Sequence, residues 1–263
     1  MHDMSLDGFD DFELEHDGVT RRVYKRGAGP GVVVMHEIPG ITPQVAGFAR
    51  RVADEGFTVY LPHLFGTPNK PLSVPYIVGQ LLRACVSREF SVFAKHESSP
   101  ITDWLRALCR HAHSECGGPG VGAIGMCLTG NFALSLMVDE SVMAPVLSQP
   151  SLPFGVSADH RAAMHLSESD LAIVRKRASE GCGVLALRFT GDPMCPSERF
   201  ETMRRELGEG FEAIEIDSSE GNPHGIQKMA HSVVTTDLVD EEGHPTQVAL
   251  HRVLEVFRER LNA

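Results

Sequence analysis

One cysteine stands where an apolar, strand-like run meets a helix-like segment. Residues 121–126 are small or apolar, and they lead through Gly125 directly into Cys127 and Leu128. A nucleophile on such a strand-to-helix turn, called a nucleophile elbow, is presented to substrate. The free N–H groups and the dipole of the new helix favour a thiolate and a developing oxyanion. We therefore predict that Cys127 is a nucleophile and that the Leu128 N–H binds an oxyanion.

An acid and a histidine follow two later strand-like runs. Asp192 comes after the run 183–190, and taken alone it could equally shape a turn or cap a helix. His224 lies in a Gly- and Pro-containing loop after residues 211–216, where an exposed histidine is the ordinary expectation. Nucleophile, acid and histidine in this order, each after a strand, match the order in α/β-hydrolases. We therefore predict that Cys127, Asp192 and His224 form a triad.

A second oxyanion donor is expected in the loop after an earlier strand. The β-rich run 32–35 leads into such a loop, and the N–H of Ile38 is the candidate donor. Glu37 would then lie near the thiol, with a structural ion pair as its alternative role. The pair His36-Glu37 also begins like a zinc-protease helix. That reading is rejected because the second histidine is missing and Pro39 breaks any helix there.

The elements that must position these residues alternate between strand and helix patterns. This alternation predicts a mainly parallel sheet with helices on both faces, in one domain over residues 1–263. Strands are predicted at 20–24, 32–35, 57–61, 121–124, 142–147, 183–190 and 211–216. Helices are predicted at 43–55, 76–94, 100–113, 128–137, 170–179, 197–207 and 248–261. Residues 62–75 carry four prolines and are predicted to be a loop bordering the site.

Composition restricts the kind of partner. A net charge of −11 argues against binding to nucleic acid or to an anionic membrane surface. No apolar segment approaches the ~20 residues that span a bilayer, and the acidic N-terminus does not resemble a signal peptide. The six cysteines lack the spacing of a disulfide framework. A cytoplasmic protein, monomeric or a small homo-oligomer, with a small-molecule substrate is therefore expected.

The chain resembles the dienelactone hydrolase family of α/β-hydrolases over roughly residues 10 to 260. The matching segments are 36–41, 61–65, 125–130, 191–192 and 224–225. The resemblance implies an α/β-hydrolase fold and a triad of Cys127, Asp192 and His224. It also implies that the oxyanion amides are those of Ile38 and Leu128. It further implies that Glu37 contacts the resting thiol and helps gate its ionisation.

Two positions depart from the family pattern, and a third could be filled by either of two arginines. Thr129 stands where the family commonly has a glycine, and its Cβ is expected to pack against the neighbouring strand. Family members that take dienelactones hold the substrate carboxylate with two arginines. One arginine comes four residues after the histidine, which is Lys228 if the histidine is His224. The other lies before the elbow, where Arg83 and Arg88 both qualify. Lysine supplies charge but not the bidentate fork of arginine.

These residues predict a hydrolase of esters or lactones, of the carboxymethylenebutenolide class, that needs no cofactor. One alternative is a small-ester or thioester hydrolase of the same superfamily without dienelactone activity. Another is a non-catalytic or redox-sensing protein that uses a reactive Cys127. A metal site within 109–116 is disfavoured, because ligands two residues apart do not share a helix face. Cys85, Cys182 and Cys195 are expected to be small buried residues.

Overall fold

Eight strands form one sheet in the computed structural model, which describes residues 5–73, 75–80 and 100–262. The strands are β1 Asp10–His16, β2 Val19–Arg26, β3 Gly31–Met35, β4 Thr58–Pro62, β5 Val121–Met126, β6 Val142–Ser148, β7 Val184–Phe189 and β8 Phe211–Ile216. Their order is β1-β2-β4-β3-β5-β6-β7-β8. The β1–β2 and β2–β4 pairs are antiparallel, and the other five pairs are parallel. The predicted mainly parallel sheet is confirmed, with β1 as a strand that was not predicted.

Helices connect the parallel strands. They are α1 Pro43–Asp54, α2 Pro100–Cys116, α3 Gly130–Leu136, α4 Ala158–Ala162, α5 Glu168–Ser179, α6 Ser197–Leu207 and α7 Pro245–Leu261, with 3₁₀ turns at Cys127–Thr129 and Gly208–Gly210. Residues 75–80 are also helical, whereas most of the predicted helix 76–94 lies outside the described residues. In the described part of the chain, every helix falls short of the length and apolar content needed to cross a bilayer.

Two apolar layers cover the two faces of the sheet. The fully buried strand β3 shows the division, because Val33 and Met35 face one layer while Val32 and Val34 face the other. The first layer includes side chains from α2, α3, α5 and α6, and the second includes side chains from α1 and α7. Helices therefore pack on both faces, as the alternation of patterns predicted. This packing fixes the carboxyl ends of the parallel strands, where such folds place ligands.

Candidate active site

The elbow after β5 has the backbone geometry of a strained turn. Cys127 has a φ of 53°, which is unusual for a residue with a side chain. The turn requires close backbone approach, because a Cβ on Gly125 would lie 2.0 Å from the carbonyl oxygen of Thr129. A Cβ on Gly130 would lie 2.5 Å from the Cα of Pro150. The sulfur-bearing residue is thus held at the end of β5 by a conformation that its neighbours enforce.

The buried acid on the loop after β7 is hydrogen-bonded to a histidine. Asp192 is 3% exposed, and its Oδ1 accepts the N–H of Met194 at 2.9 Å. Its Oδ2 lies 2.6 Å from Nδ1 of His231. The opposite ring nitrogen, Nε2, is buried and makes no hydrogen bond within the described part of the chain. The Cys127 side chain nevertheless lies close enough to the ring to raise its pKa. Asp192, His231 and Cys127 are therefore brought together at one edge of the sheet.

The imidazole of His231 is tuned by its two neighbours. Burial is the largest single influence and acts to lower its pKa, but the combined effects of Cys127 and Asp192 on the ring act more strongly in the opposite direction. The pKa of His231 is consequently raised well above its ordinary value. A negative charge on either neighbour favours the imidazolium form. The arrangement suits a thiolate–imidazolium pair.

The structure places His231, and not the predicted His224, beside Asp192. His224 is exposed, its backbone N–H bonds to Oδ1 of Asn222, and its ring lies 5.5 Å from that of His244. The reason is the length of the segment after β8. The chain first forms a solvent-exposed turn around His224 and only then returns to the sheet edge. It is anchored there by the buried residues that flank His231, namely Ala230, Ser232, Val233 and Val234.

The candidate carboxylate-binding residues change with this correction. Lys228, the predicted carboxylate-binding residue, lies four residues after His224, and its side chain is exposed. The position four residues after His231 is Thr235, which is buried and carries no charge. Arg83 and Arg88 lie outside the described residues. Among the described residues, the position expected to hold a substrate carboxylate therefore carries a neutral hydroxyl.

Glu37 is buried within a group of neutral donors. Its Oε2 accepts hydrogen bonds from Ser232 Oγ at 2.7 Å and from Gln149 Nε2 at 3.1 Å, and its Oε1 accepts from Thr235 Oγ1. Burial raises the pKa of the Glu37 carboxyl, although the hydroxyl donors act against the shift. The structure shows Glu37 joining the loop after β3 to the segment 231–235. Contact between its carboxylate and the resting thiol of Cys127 stays a prediction.

The two proposed oxyanion amides belong to the loop after β3 and to the elbow after β5. Among the described backbone hydrogen bonds of loops and turns, neither the Ile38 N–H nor the Leu128 N–H is a donor. The loop carrying Ile38 is anchored by His36, whose Nδ1 lies 3.1 Å from the carbonyl oxygen of Glu37. The Nε2 of His36 accepts the N–H of Leu64, and burial lowers the His36 pKa to about 3, so the ring is neutral.

Apolar side chains surround the thiol. Cys127, Leu128 and Leu152 form a small buried cluster, against which three partly buried residues pack: Ile38, Phe65 and Phe154. The segment carrying Leu152 and Phe154 is irregular and is attached to the elbow by its backbone. The Ser151 N–H donates to the Cys127 carbonyl at 3.0 Å. A carbonyl group attacked by the thiolate would therefore have hydrocarbon neighbours.

A buried arginine secures the same irregular segment. Arg199, at the start of α6, is fully buried and donates hydrogen bonds to four backbone carbonyls, those of Pro150, Pro153, His160 and Ala163. Burial lowers its pKa to about 10, which leaves it charged at neutral pH. The guanidinium therefore ties residues 150–163, whose regular secondary structure is limited to the short helix α4, to the start of α6.

Of the six cysteines, the five in the described residues are free thiols. Cys182 and Cys195 are buried, and burial raises the pKa of both, as expected for unreactive thiols. Cys85 lies outside the described residues. Within the described ranges, no group of three or more His, Cys, Asp or Glu side chains is placed to hold a metal ion.

Comparison with known proteins shows the family of the chain. Residues 19–261 match the model of the dienelactone hydrolase family. A Saccharomyces cerevisiae protein named "Putative carboxymethylenebutenolidase" is 28% identical over 198 residues, covering 73% of this chain and 69% of that protein.

Two solved structures show the same fold. A "Putative Dienelactone Hydrolase" from Klebsiella pneumoniae has a TM-score of 0.60 at 19% identity, covering 96% of this chain and 100% of the other. A dienelactone hydrolase-like promiscuous phosphotriesterase from metagenomic libraries has a TM-score of 0.60 at 16% identity, covering 97% and 99%. The predicted α/β-hydrolase fold is confirmed, and the chain belongs to the dienelactone hydrolase family.

Proposed function

We propose that the protein hydrolyses an ester or a lactone by covalent catalysis, with Cys127 as nucleophile, His231 as acid–base and Asp192 as the orienting acid. The observation that carries this proposal is the chain of contacts from the Asp192 carboxylate through the His231 ring to the Cys127 thiol. Its support is that the thiol lies on a strained strand-to-helix turn in a family of such hydrolases.

The first half of the reaction forms a thioester. The Cys127 thiolate adds to the carbonyl carbon, and the electron pair of the C=O bond moves to oxygen. The Ile38 and Leu128 N–H groups then stabilise this oxyanion. As the tetrahedral intermediate collapses, the C–O bond to the leaving group breaks, and the His231 imidazolium donates its proton to the departing alkoxide or enolate.

The second half returns the enzyme to its starting state. Neutral His231 takes a proton from water as the oxygen attacks the thioester carbon. The second tetrahedral intermediate expels the Cys127 thiolate and leaves the carboxylic acid product. Asp192 accepts the Nδ1–H throughout, which fixes the tautomer and stabilises the imidazolium. Thiolates attack amides poorly, so activated esters and enol-lactones suit this nucleophile better than peptides do.

The test is a panel of lactones and aryl esters assayed before and after treatment with iodoacetamide, with mass spectrometry locating the alkylated cysteine. Loss of hydrolysis in step with alkylation of Cys127 is expected, together with no hydrolysis by Cys127→Ala. Cys116→Ala is the matched control, because that thiol is free and partly exposed but lies at the end of α2. Unchanged hydrolysis by Cys127→Ala would contradict the mechanism. A lack of hydrolysis with rapid peroxide oxidation of Cys127 would support a redox sensor instead.

A second candidate function is hydrolysis of small neutral esters or thioesters without dienelactone activity. It is favoured by Thr235 at the position expected to be cationic, and by the apolar residues packed around the thiol. The comparison that decides is kcat/KM for a carboxylated enol-lactone against kcat/KM for a neutral aryl acetate. A strong preference for the carboxylated substrate would exclude this candidate and would direct attention to Arg83 and Arg88.

A further inference from the structure

One side chain joins the elbow to the end of β3. Thr129 closes the turn that begins at Cys127, and its side chain is completely buried. Its hydroxyl oxygen accepts the N–H of Met126 at 3.0 Å. The same hydroxyl lies within donating distance of the carbonyl oxygens of Met35 at 3.0 Å and His36 at 3.2 Å. It also lies 3.0 Å from the Met126 carbonyl oxygen. Thr129 therefore does more than pack its Cβ against the neighbouring strand.

The position of this bridge is informative. The parallel pairing of strands β3 and β5 ends at Met35 and Gly125. Beyond that point the two backbone segments are no longer paired as strands. The Thr129 hydroxyl connects them just past the last pair. The residue before it is Leu128, and Ile38 follows three residues after Met35. The bridge thus connects the two backbone segments that carry the proposed oxyanion donors.

We propose that Thr129 is a positioning residue for the oxyanion hole, through a hydroxyl bridge that sets the separation of the Leu128 and Ile38 amides. This inference rests on the proposed function. An oxyanion must lie about 2.7–3.1 Å from each donor, so a small relative displacement of the two segments weakens one of the hydrogen bonds.

The test compares Thr129→Val with Thr129→Ser. Valine preserves the shape and removes the hydroxyl, whereas serine preserves the hydroxyl and removes the methyl group. For an activated aryl ester, kcat is expected to fall about 10- to 100-fold in Thr129→Val with little change in KM, because the lost interaction acts in the transition state. Thr129→Ser is expected to stay within about threefold of the unmodified protein.

Alkylation of the thiol separates positioning from general damage. Iodoacetamide alkylates Cys127 by displacement of iodide, a reaction in which no oxyanion forms. The alkylation rate of Thr129→Val is therefore expected to stay within about twofold of the unmodified protein while its kcat falls. A parallel loss of alkylation and hydrolysis would overturn the proposal, because Thr129 would then act on the nucleophile or on the fold.

Other outcomes also decide. A larger loss in Thr129→Ser than in Thr129→Val would show that the methyl group and packing matter, which overturns the bridge. If Thr129→Val does not fold, Thr129→Ala takes its place, and unchanged kcat in that variant overturns the bridge as well. Unchanged kcat in Thr129→Val, with hydrolysis abolished in Cys127→Ala, removes this inference alone. A protein that hydrolyses no ester removes the proposed function together with it.

Discussion

Exchanging the imidazole of His231 for an amide tests most directly the proposal that His231 is the acid–base group. In His231→Asn, the amide nitrogen lies close to the former position of Nδ1, so Asp192 keeps a hydrogen-bond donor. The variant lacks Nε2, and with it the group that faces Cys127 and accepts the proton. His224→Asn is the matched control, because His224 is exposed and its backbone N–H, which the substitution leaves in place, donates to Oδ1 of Asn222.

The expected magnitude follows from what each variant loses. Removing a general acid–base group costs about 10²- to 10⁴-fold, and the positive charge beside the thiolate is lost as well. We expect kcat/KM of His231→Asn to fall about 10³-fold, which corresponds to about 4 kcal/mol of transition-state stabilisation. For His224→Asn we expect a change below about twofold in activity and below about 0.5 kcal/mol in stability.

The assay is initial-rate hydrolysis of an activated aryl ester, with thermal unfolding of both variants as the check on folding. Iodoacetamide alkylation at neutral pH provides an independent measure, and it should slow in His231→Asn because the imidazolium no longer stabilises the thiolate. The reasoning is refuted if His224→Asn loses as much activity as His231→Asn. Full activity of a folded His231→Asn protein would refute it equally.

Three further predictions concern the surroundings of the thiol. Asp192→Asn should lower kcat about 10³- to 10⁴-fold by favouring the wrong tautomer of the histidine, measured by steady-state kinetics; a loss in KM alone would contradict this. Burial raises the pKa of Glu37, so the folded state binds that proton more tightly than the unfolded state does. The contribution of the protonated Glu37 carboxyl to stability is then lost as pH rises above the ordinary pKa of 4.5. The Tm of Glu37→Gln minus the Tm of the unmodified protein should therefore grow with pH. A difference that stays constant with pH would disprove the shift. Gly125→Ala should lower the stability by on the order of 3 kcal/mol because of backbone overlap, whereas Gly79→Ala, which meets open space, should be nearly neutral in thermal unfolding.

Local patterns were sufficient for the core of the fold and for two of the three clustered residues. The strand β8 and the helix α6 match the predicted bounds, because each is a short, strongly periodic segment between clear breakers. Cys127 and Asp192 follow strands directly, so the strand ends determine where their side chains lie. Their positions could therefore be predicted from residues close to them in sequence.

The remaining errors share a physical cause, which is dependence on distant contacts. β1 is an edge strand with alternating exposed residues and four acids, and it forms because it pairs with β2 along its whole length. Spacing alone does not single out the histidine that lies beside Asp192, because residues 217–244 contain three histidines. The apolar residues flanking His231 were the available signal, since buried neighbours indicate a fixed backbone. Glycine, proline and asparagine around His224 indicate a solvent-exposed turn.

The four carbonyl contacts of Arg199 have a consequence for which substitutions this chain can accept near the thiol. The guanidinium donates its hydrogen bonds to main-chain carbonyl oxygens of residues 150–163. The anchoring therefore does not depend on the side chains of this segment. Leu152 and Phe154 pack against Cys127. Substitutions at these two positions therefore leave the hydrogen bonds from Arg199 to the loop backbone intact. Side chains next to the thiol can therefore change during evolution, while the Arg199 guanidinium on α6 keeps the backbone of residues 150–163 in place.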